Sequence, residues 1–147
     1  MIKLSIMIDY AHSPESLQSI LQAVKTYTKG RVIAVFGCGG DRDKGKRPLM
    51  GEIAGRIADY TIITSDNPRT EKPEAIIRDI EEGISKTKGK YEVIVDRNFA
   101  IEKAIKMANK KDIIILAGKG HETYQEINGV KYPYNEREII KEIIDKM

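Results

Sequence analysis

Short apolar runs alternate with segments of helical period along this chain. Val32-Ile33-Ala34-Val35-Phe36 and Ile113-Ile114-Ile115-Leu116 are apolar at every position, as strands covered on both faces read. Leu4–Ile8, Tyr60–Thr64 and Tyr91–Val95 extend the set, and the last run opens at Asp112. Between the runs lie stripes at i, i+3, i+4, i+7: Leu17, Ile20, Leu21, Val24, then Met50, Ile53, Ala54, Ile57, then Ile76, Ile77, Ile80, Ile84. Phe99, Ile101, Ala104, Ile105, Ala108 form a fourth stripe and Ile139, Ile140, Ile143, Ile144 a fifth. Ser13-Pro14, Pro73, Asp96 and Asn135 signal helix starts, and Gly30 sits where the first helix should stop. After Leu116 the rhythm changes: Thr123–Ile127 and Val130–Tyr134 flank Asn128-Gly129, a type I′ hairpin signal.

Repeated strand–helix–strand units imply right-handed crossovers and a parallel sheet. The pattern predicts one α/β domain over residues 1–147. It is Rossmann-like and three-layered, with a mostly parallel sheet of about six strands, helices on both faces and a C-terminal antiparallel hairpin element.

Composition narrows the function classes. Of 147 residues, 25 are basic and 22 acidic, a net charge of +3 that makes no case for nucleic acid. Trp is absent and aromatics are few, which removes a base-stacking platform. No 18-residue apolar stretch exists to span a membrane, and the start lacks the features of a signal peptide, so a cytoplasmic protein is expected. A single cysteine excludes an internal disulfide and a multi-cysteine zinc site.

Each strand runs into a polar loop, and in an open α/β sheet those loops share one edge, where ligands bind. Ser65-Asp66-Asn67-Pro68-Arg69 gathers a carboxylate, a carboxamide and a guanidinium after the third strand. Carboxylate and amide suit an ammonium, and arginine grips a carboxylate in bidentate fashion. The same residues also read as a solvated turn. Gly40-Asp41-Arg42-Asp43-Lys44-Gly45-Lys46 matches the spacing of a phosphate loop, but Arg47 replaces the hydroxyl residue, and Asp41 and Asp43 put negative charge where phosphate oxygens would lie. A phosphate loop is therefore rejected. What remains is a flexible loop offering Arg42, Lys44, Lys46 and Arg47, or a solvated cap of the next helix. In Gly118-Lys119-Gly120-His121-Glu122 the glycines allow close backbone approach, and His121 is first a structural histidine. Asp9, Tyr10, His12 and Ser13 crowd a strand-to-helix turn whose helix start favours anions. Basic neighbours can lower the pKa of Cys38, although a small residue in a tight turn is the plainer reading.

Taken together, Asp9-Tyr10-Ala11-His12-Ser13-Pro14, Gly37–Pro48, Ser65–Arg69 and Ala117–Glu122 resemble, in order and spacing, the C-terminal domain of Mur ligases, in particular of the type that adds meso-diaminopimelate. The resemblance implies an ATP-dependent amide ligase of peptidoglycan precursor assembly. An acyl phosphate forms from ATP, and the incoming amino group attacks it. It implies that Arg42, Asp66, Asn67, Pro68, Arg69, Gly118 and Glu122 bind meso-diaminopimelate, with Arg69 on the distal carboxylate and Glu122 on the distal ammonium. Asp9, Tyr10 and His12 are similar to the nucleotide-side segment. Lysine-adding relatives lack an arginine matching Arg69, so the substrate expectation turns on that residue. ATP and Mg2+ are expected to bind mainly to a central domain, and the UDP-sugar to an N-terminal one. Neither domain is present in this sequence, so no catalytic set is complete, no metal ligands are expected, and turnover by this polypeptide alone is not. A binding module without catalysis, and a ligase domain for another acceptor, stand as alternatives.

Overall fold

The computed structural model describes residues 5–120 and 122–147. Twelve elements follow in order: β1 (Ser5–Asp9), α1 (Pro14–Tyr27), β2 (Val32–Phe36), α2 (Lys46–Ile57), β3 (Tyr60–Ile63), α3 (Pro73–Ile84), β4 (Lys90–Val93), α4 (Arg97–Met107), β5 (Ile113–Ala117), β6 (Tyr124–Ile127), β7 (Val130–Pro133) and α5 (Glu136–Asp145). The first five strands form one parallel sheet in the order β1-β5-β2-β3-β4, and β6 and β7 pair separately as an antiparallel hairpin. The main sheet thus has five strands rather than about six, and the hairpin stands apart from it.

Period-2 alternation sorts the strand residues between two cores. Val32, Ala34 and Phe36 of β2, with Ile113, Ile115 and Ala117 of β5, pack against α1, α2 and α3. Ile33, Val35, Ile114 and Leu116 face α4 and α5. Both faces of β2 and β5 are therefore dry, which is why their sequences carry no polar position.

The helix signals act as their chemistry requires. Ser13 accepts from Ser16 N ahead of Pro14, Asp96 accepts from Phe99 N, and Asn135 accepts from Arg137 N and Glu138 N. Three helix expectations need correction. Helix α1 stops at Tyr27 with Thr28 as its cap. Gly30 serves a different purpose: a Cβ there would lie 2.5 Å from Asp112 Oδ1 and Lys111 O. Phe99 is not core but 64% exposed. It lies about 200° around the helix from Ile101, because each residue turns the chain by about 100°. Ala100, Ile101, Ala104 and Ile105 carry the buried face instead. Ile144 of the last stripe is also exposed.

Strand ends shift by a residue or two: β3 stops at Ile63, β4 runs Lys90–Val93, and β5 starts at Ile113 and ends at Ala117. Leu4 and His121 lie outside the described residues. Among the described residues, no helix is long and apolar enough to cross a membrane.

Candidate functional site

The loops after β1, β2, β3 and β5 meet at the carboxyl edge of the sheet. There they enclose a cavity of about 390 Å3, within the ~300–1,000 Å3 range of small-molecule sites. Its cations are Arg42, Lys46 and Arg69, and its carboxylates are Asp43, Asp66 and Glu122. Tyr10, His12, Asn67 and Gly118 complete the predicted residues that line it. Asp9 and Pro68 do not. The Asp9 carboxylate closes its own turn by accepting from Ala11 N at 2.9 Å. Pro68 is backbone support, its carbonyl filling the space where a Cβ on Gly40 would lie.

A larger hollow of about 760 Å3 lies at the opposite, amino edge, lined by Arg31, Arg56, Asp59 and Lys86 among others. Its arginines are paired, Arg31 with Asp112 and Arg56 with Glu52. Size alone would choose this hollow. The carboxyl edge is preferred because there the convergent groups carry both charge signs and sit where open α/β sheets bind ligands.

The loop after β3 is held from two sides. Gly40 N donates to Asn67 O at 2.7 Å, tying it to the glycine-rich loop. Arg69 N donates to Glu126 O at 3.0 Å and Asn128 N to Arg69 O at 2.7 Å, tying it to the hairpin. Arg69 adopts a left-handed φ of 53° to make both contacts. Its Nη1 donates to Gly40 O at 3.0 Å and its Nε lies 3.4 Å from Glu126 Oε1. Arg42 and Arg69 flank Gly39, where a Cβ would lie 2.8 Å from Arg69 Nη1 and 3.7 Å from Arg42 Cγ.

The glycine-rich loop is braced rather than flexible, which corrects the sequence expectation. Asp41 N donates to Glu71 Oε2 at 2.6 Å, and the Asp41 carboxylate accepts from Thr70 Oγ1 at 2.5 Å. Arg47 is not offered to a ligand. It is 1% exposed, pairs with Glu71 at 2.8 Å and Asp79 at 3.0 Å, and donates to Gly39 O. Its bidentate hydrogen bonds hold the Glu71 carboxyl down at about 2. Cys38 is buried with its thiol against Met50, and burial pushes it up to about 12, outweighing the nearby cations Lys46 and Arg47.

On the first loop, Tyr10 and His12 stack edge to face with ring centres 4.7 Å apart, and His12 Nδ1 lies 2.8 Å from Tyr10 O. The charge of Glu122 raises the Tyr10 phenol above its ordinary range. Lys46 Nζ donates to His12 O at 2.9 Å, joining the first loop to the second.

Lys119 and Arg97 were not singled out from the sequence. Lys119 is fully buried behind Asp66 and Asn67. Arg97, also buried, pairs with Glu136 at 2.7 Å and donates to Ser65 O and Ala117 O, joining the ends of β3 and β5. The two glycines around Lys119 were the only local hint that its side chain turns inward. Among the described residues, no His/Cys/Asp/Glu group is placed to hold a metal ion.

The cavity of both charge signs thus lies between three crossover loops and the loop that leads from β5 to the hairpin. The family model described as Mur ligase, glutamate ligase domain, matches residues 2–120. The UDP-N-acetylmuramoyl-L-alanyl-D-glutamate--2,6-diaminopimelate ligase of Caldanaerobacter subterraneus subsp. tengcongensis is 60% identical over 95% of this chain and 29% of that protein. The ligase of the same name from Clostridioides difficile is 54% identical over 98% of this chain and 30% of its own length. A solved structure of a ligase so named superposes with a TM-score of 0.91 at 45% identity, covering 96% of this chain and 29% of that one. The chain spans about 30% of the length of these relatives. It belongs to the Mur ligase family and corresponds to that family's glutamate ligase domain.

Proposed function

We propose that residues 1–147 are the amino-acid-binding domain of an ATP-dependent ligase that works in the cytoplasm. This ligase joins meso-diaminopimelate to UDP-N-acetylmuramoyl-L-alanyl-D-glutamate. The observation that carries this reading is the convergence of Arg42, Arg69, Asp66, Asn67 and Glu122 on one cavity. In it the guanidinium of Arg69 receives the distal carboxylate, while Glu122 and Asp66 receive the distal ammonium, with Arg42 and Gly118 as further contacts and Pro68 stiffening the loop. Lysine lacks that carboxylate. Bound here, it would leave the guanidinium with only Gly40 O and Glu126 as partners and no guest carboxylate, and discrimination by polar groups left short of a partner can reach ~10⁴-fold.

Tyr10 and His12, with Asp9 behind them, form the edge that meets the nucleotide. ATP and Mg2+ are assigned mainly to the central domain of the whole protein. The UDP-sugar is assigned to its N-terminal domain. This chain's residues orient the attacking amine and close over the nucleotide, a step that needs the facing domain to exclude water.

Calorimetric titration of the chain and of Arg69→Ala with meso-diaminopimelate, L-lysine and ATP tests the reading. The wild type is expected to bind meso-diaminopimelate weakly but ahead of lysine, and Arg69→Ala to erase the difference. Equal response of the wild type to both amino acids overturns it.

A further inference from the structure

Lys119 lies in the loop after β5 with no exposed side-chain surface. Gly118 and Gly120 flank it at φ 114° and 54°, a backbone path that sends the chain in and out again within one residue. Its ammonium meets Asn67 Oδ1 at 2.9 Å and Tyr124 O at 3.0 Å. It also lies 3.0 Å from Asp66 Oδ1 and 3.7 Å from Glu122 Oε1. The Asp66 contact is a touch of charges without an aligned hydrogen bond, since Asp66 Oδ1 has no hydrogen-bond partner. The ring of Tyr134 covers the remaining side at 5.4 Å.

The consequence falls on Asn67. Its Oδ1 accepts both from Lys119 Nζ and from Glu126 N, each at 2.9 Å. A carboxamide whose oxygen is doubly engaged can only present its NH2 outward, and Nδ2 donates to Glu122 Oε1 at 3.3 Å. The buried cation and the Glu126 amide therefore fix the amide orientation together, and through it a carboxylate, and the cation partly balances two carboxylates that converge on the same cavity. The packing around Lys119 leaves no room for a ligand to reach it.

We infer that Lys119 is a positioning residue. It sets the Asp66–Asn67–Glu122 group in the geometry that receives an ammonium, and so tunes affinity for a diamino acid without touching it. This inference rests on the amino-acid-binding reading above. A charge that merely stabilises the loop would affect folding alone. A positioning charge also couples to Asn67. Outer partners that orient ligand-contacting groups are worth about 10- to 100-fold in affinity at metal sites, and a similar loss is expected here.

The test uses the 147-residue chain and Lys119→Met, which keeps length and bulk but removes charge. Asp66→Asn/Lys119→Met serves as a second variant in case the single one fails to fold. Two measurements are made: the Asn67 side-chain NH2 resonances without ligand, assigned through Asn67→Asp, and calorimetric affinity for meso-diaminopimelate. The inference expects shifted, faster-exchanging amide protons, a loss of about 10- to 100-fold in affinity, and little further loss when Asn67→Ala is added to Lys119→Met. Unchanged amide resonances overturn it whether or not ligand binds. So does undiminished binding, or losses that simply multiply. If the wild type binds no meso-diaminopimelate while the amide protons respond, it is the functional reading that falls.

Discussion

Arg69 crosses from the loop after β3 onto Gly40 of the loop after β2, its Nη1 donating to Gly40 O at 3.0 Å. Gly40 N returns a bond to Asn67 O at 2.7 Å. The two loops are thus laced by side chain in one direction and backbone in the other. The guanidinium stands at the cavity because Gly39, next in the chain, leaves the space for it.

That lacing predicts different outcomes at adjacent glycines. A Cβ at position 40 would lie 1.9 Å from Pro68 O, a backbone atom that cannot step aside. Gly40→Ala is expected to cost about 1–3 kcal/mol and to lower the thermal midpoint by several degrees. A Cβ at position 39 would instead meet Arg69 Nη1 at 2.8 Å, the end of a flexible side chain. Gly39→Ala is expected to keep the midpoint nearly unchanged while weakening meso-diaminopimelate binding in calorimetry.

Acid sensitivity is expected from Glu71. Arg47 and the Asp41 amide hold its carboxyl at about 2 in the folded protein, against an ordinary value of 4.5. Below 4.5 the unfolded chain therefore takes up the proton first. The stabilisation is complete above that pH and is lost as pH falls toward about 2. With solvent screening allowed for, it amounts to about 1–2 kcal/mol. Glu71→Gln should lose that amount at pH 7 and show a flatter decline between pH 5 and 3 in urea denaturation.

The Arg97–Glu136 pair, with side-chain exposures of 0% and 1%, joins the starts of α4 and α5 beneath the site. Arg97→Met strands a buried carboxylate, which costs about 3–5 kcal/mol. The double variant Arg97→Met/Glu136→Leu removes both charges and is expected to recover part of that loss. Denaturant midpoints of the three proteins check the order.

Cys38 is expected to be inert. With its thiol buried and pushed up to about 12, a disulfide reagent at pH 8 should leave the native protein unlabelled and modify one thiol per chain after unfolding. Rapid labelling of the native state would contradict the burial.

How far the sequence could be read depended on the range of the interactions. The apolar runs at Val32–Phe36 and Ile113–Leu116 and the stripe Leu17, Ile20, Leu21, Val24 report their own environment, so strands and helices were legible. Asp66, Asn67 and Arg69 were legible as a group because they share one short loop. Phe99 was misread because a stripe tolerates one residue off its axis. Arg47 was misread because a charged residue in a glycine-rich loop looks solvated until its carboxylates are found. Those partners, Glu71 and Asp79, stand 24 and 32 residues away.

By itself the sequence determined the alternation of strands and helices, the two-faced burial of the central strands and the gathering of polar loops at one edge. These follow from backbone periodicity and right-handed crossovers, which act over a few residues or one unit. The tertiary structure alone decided which charges line the cavity and which lie beneath it. Lys119 reaches Asn67 across 52 residues and Arg97 reaches Glu136 across 39. A buried charge is tolerated only where the fold delivers its partner, and no local pattern records that delivery.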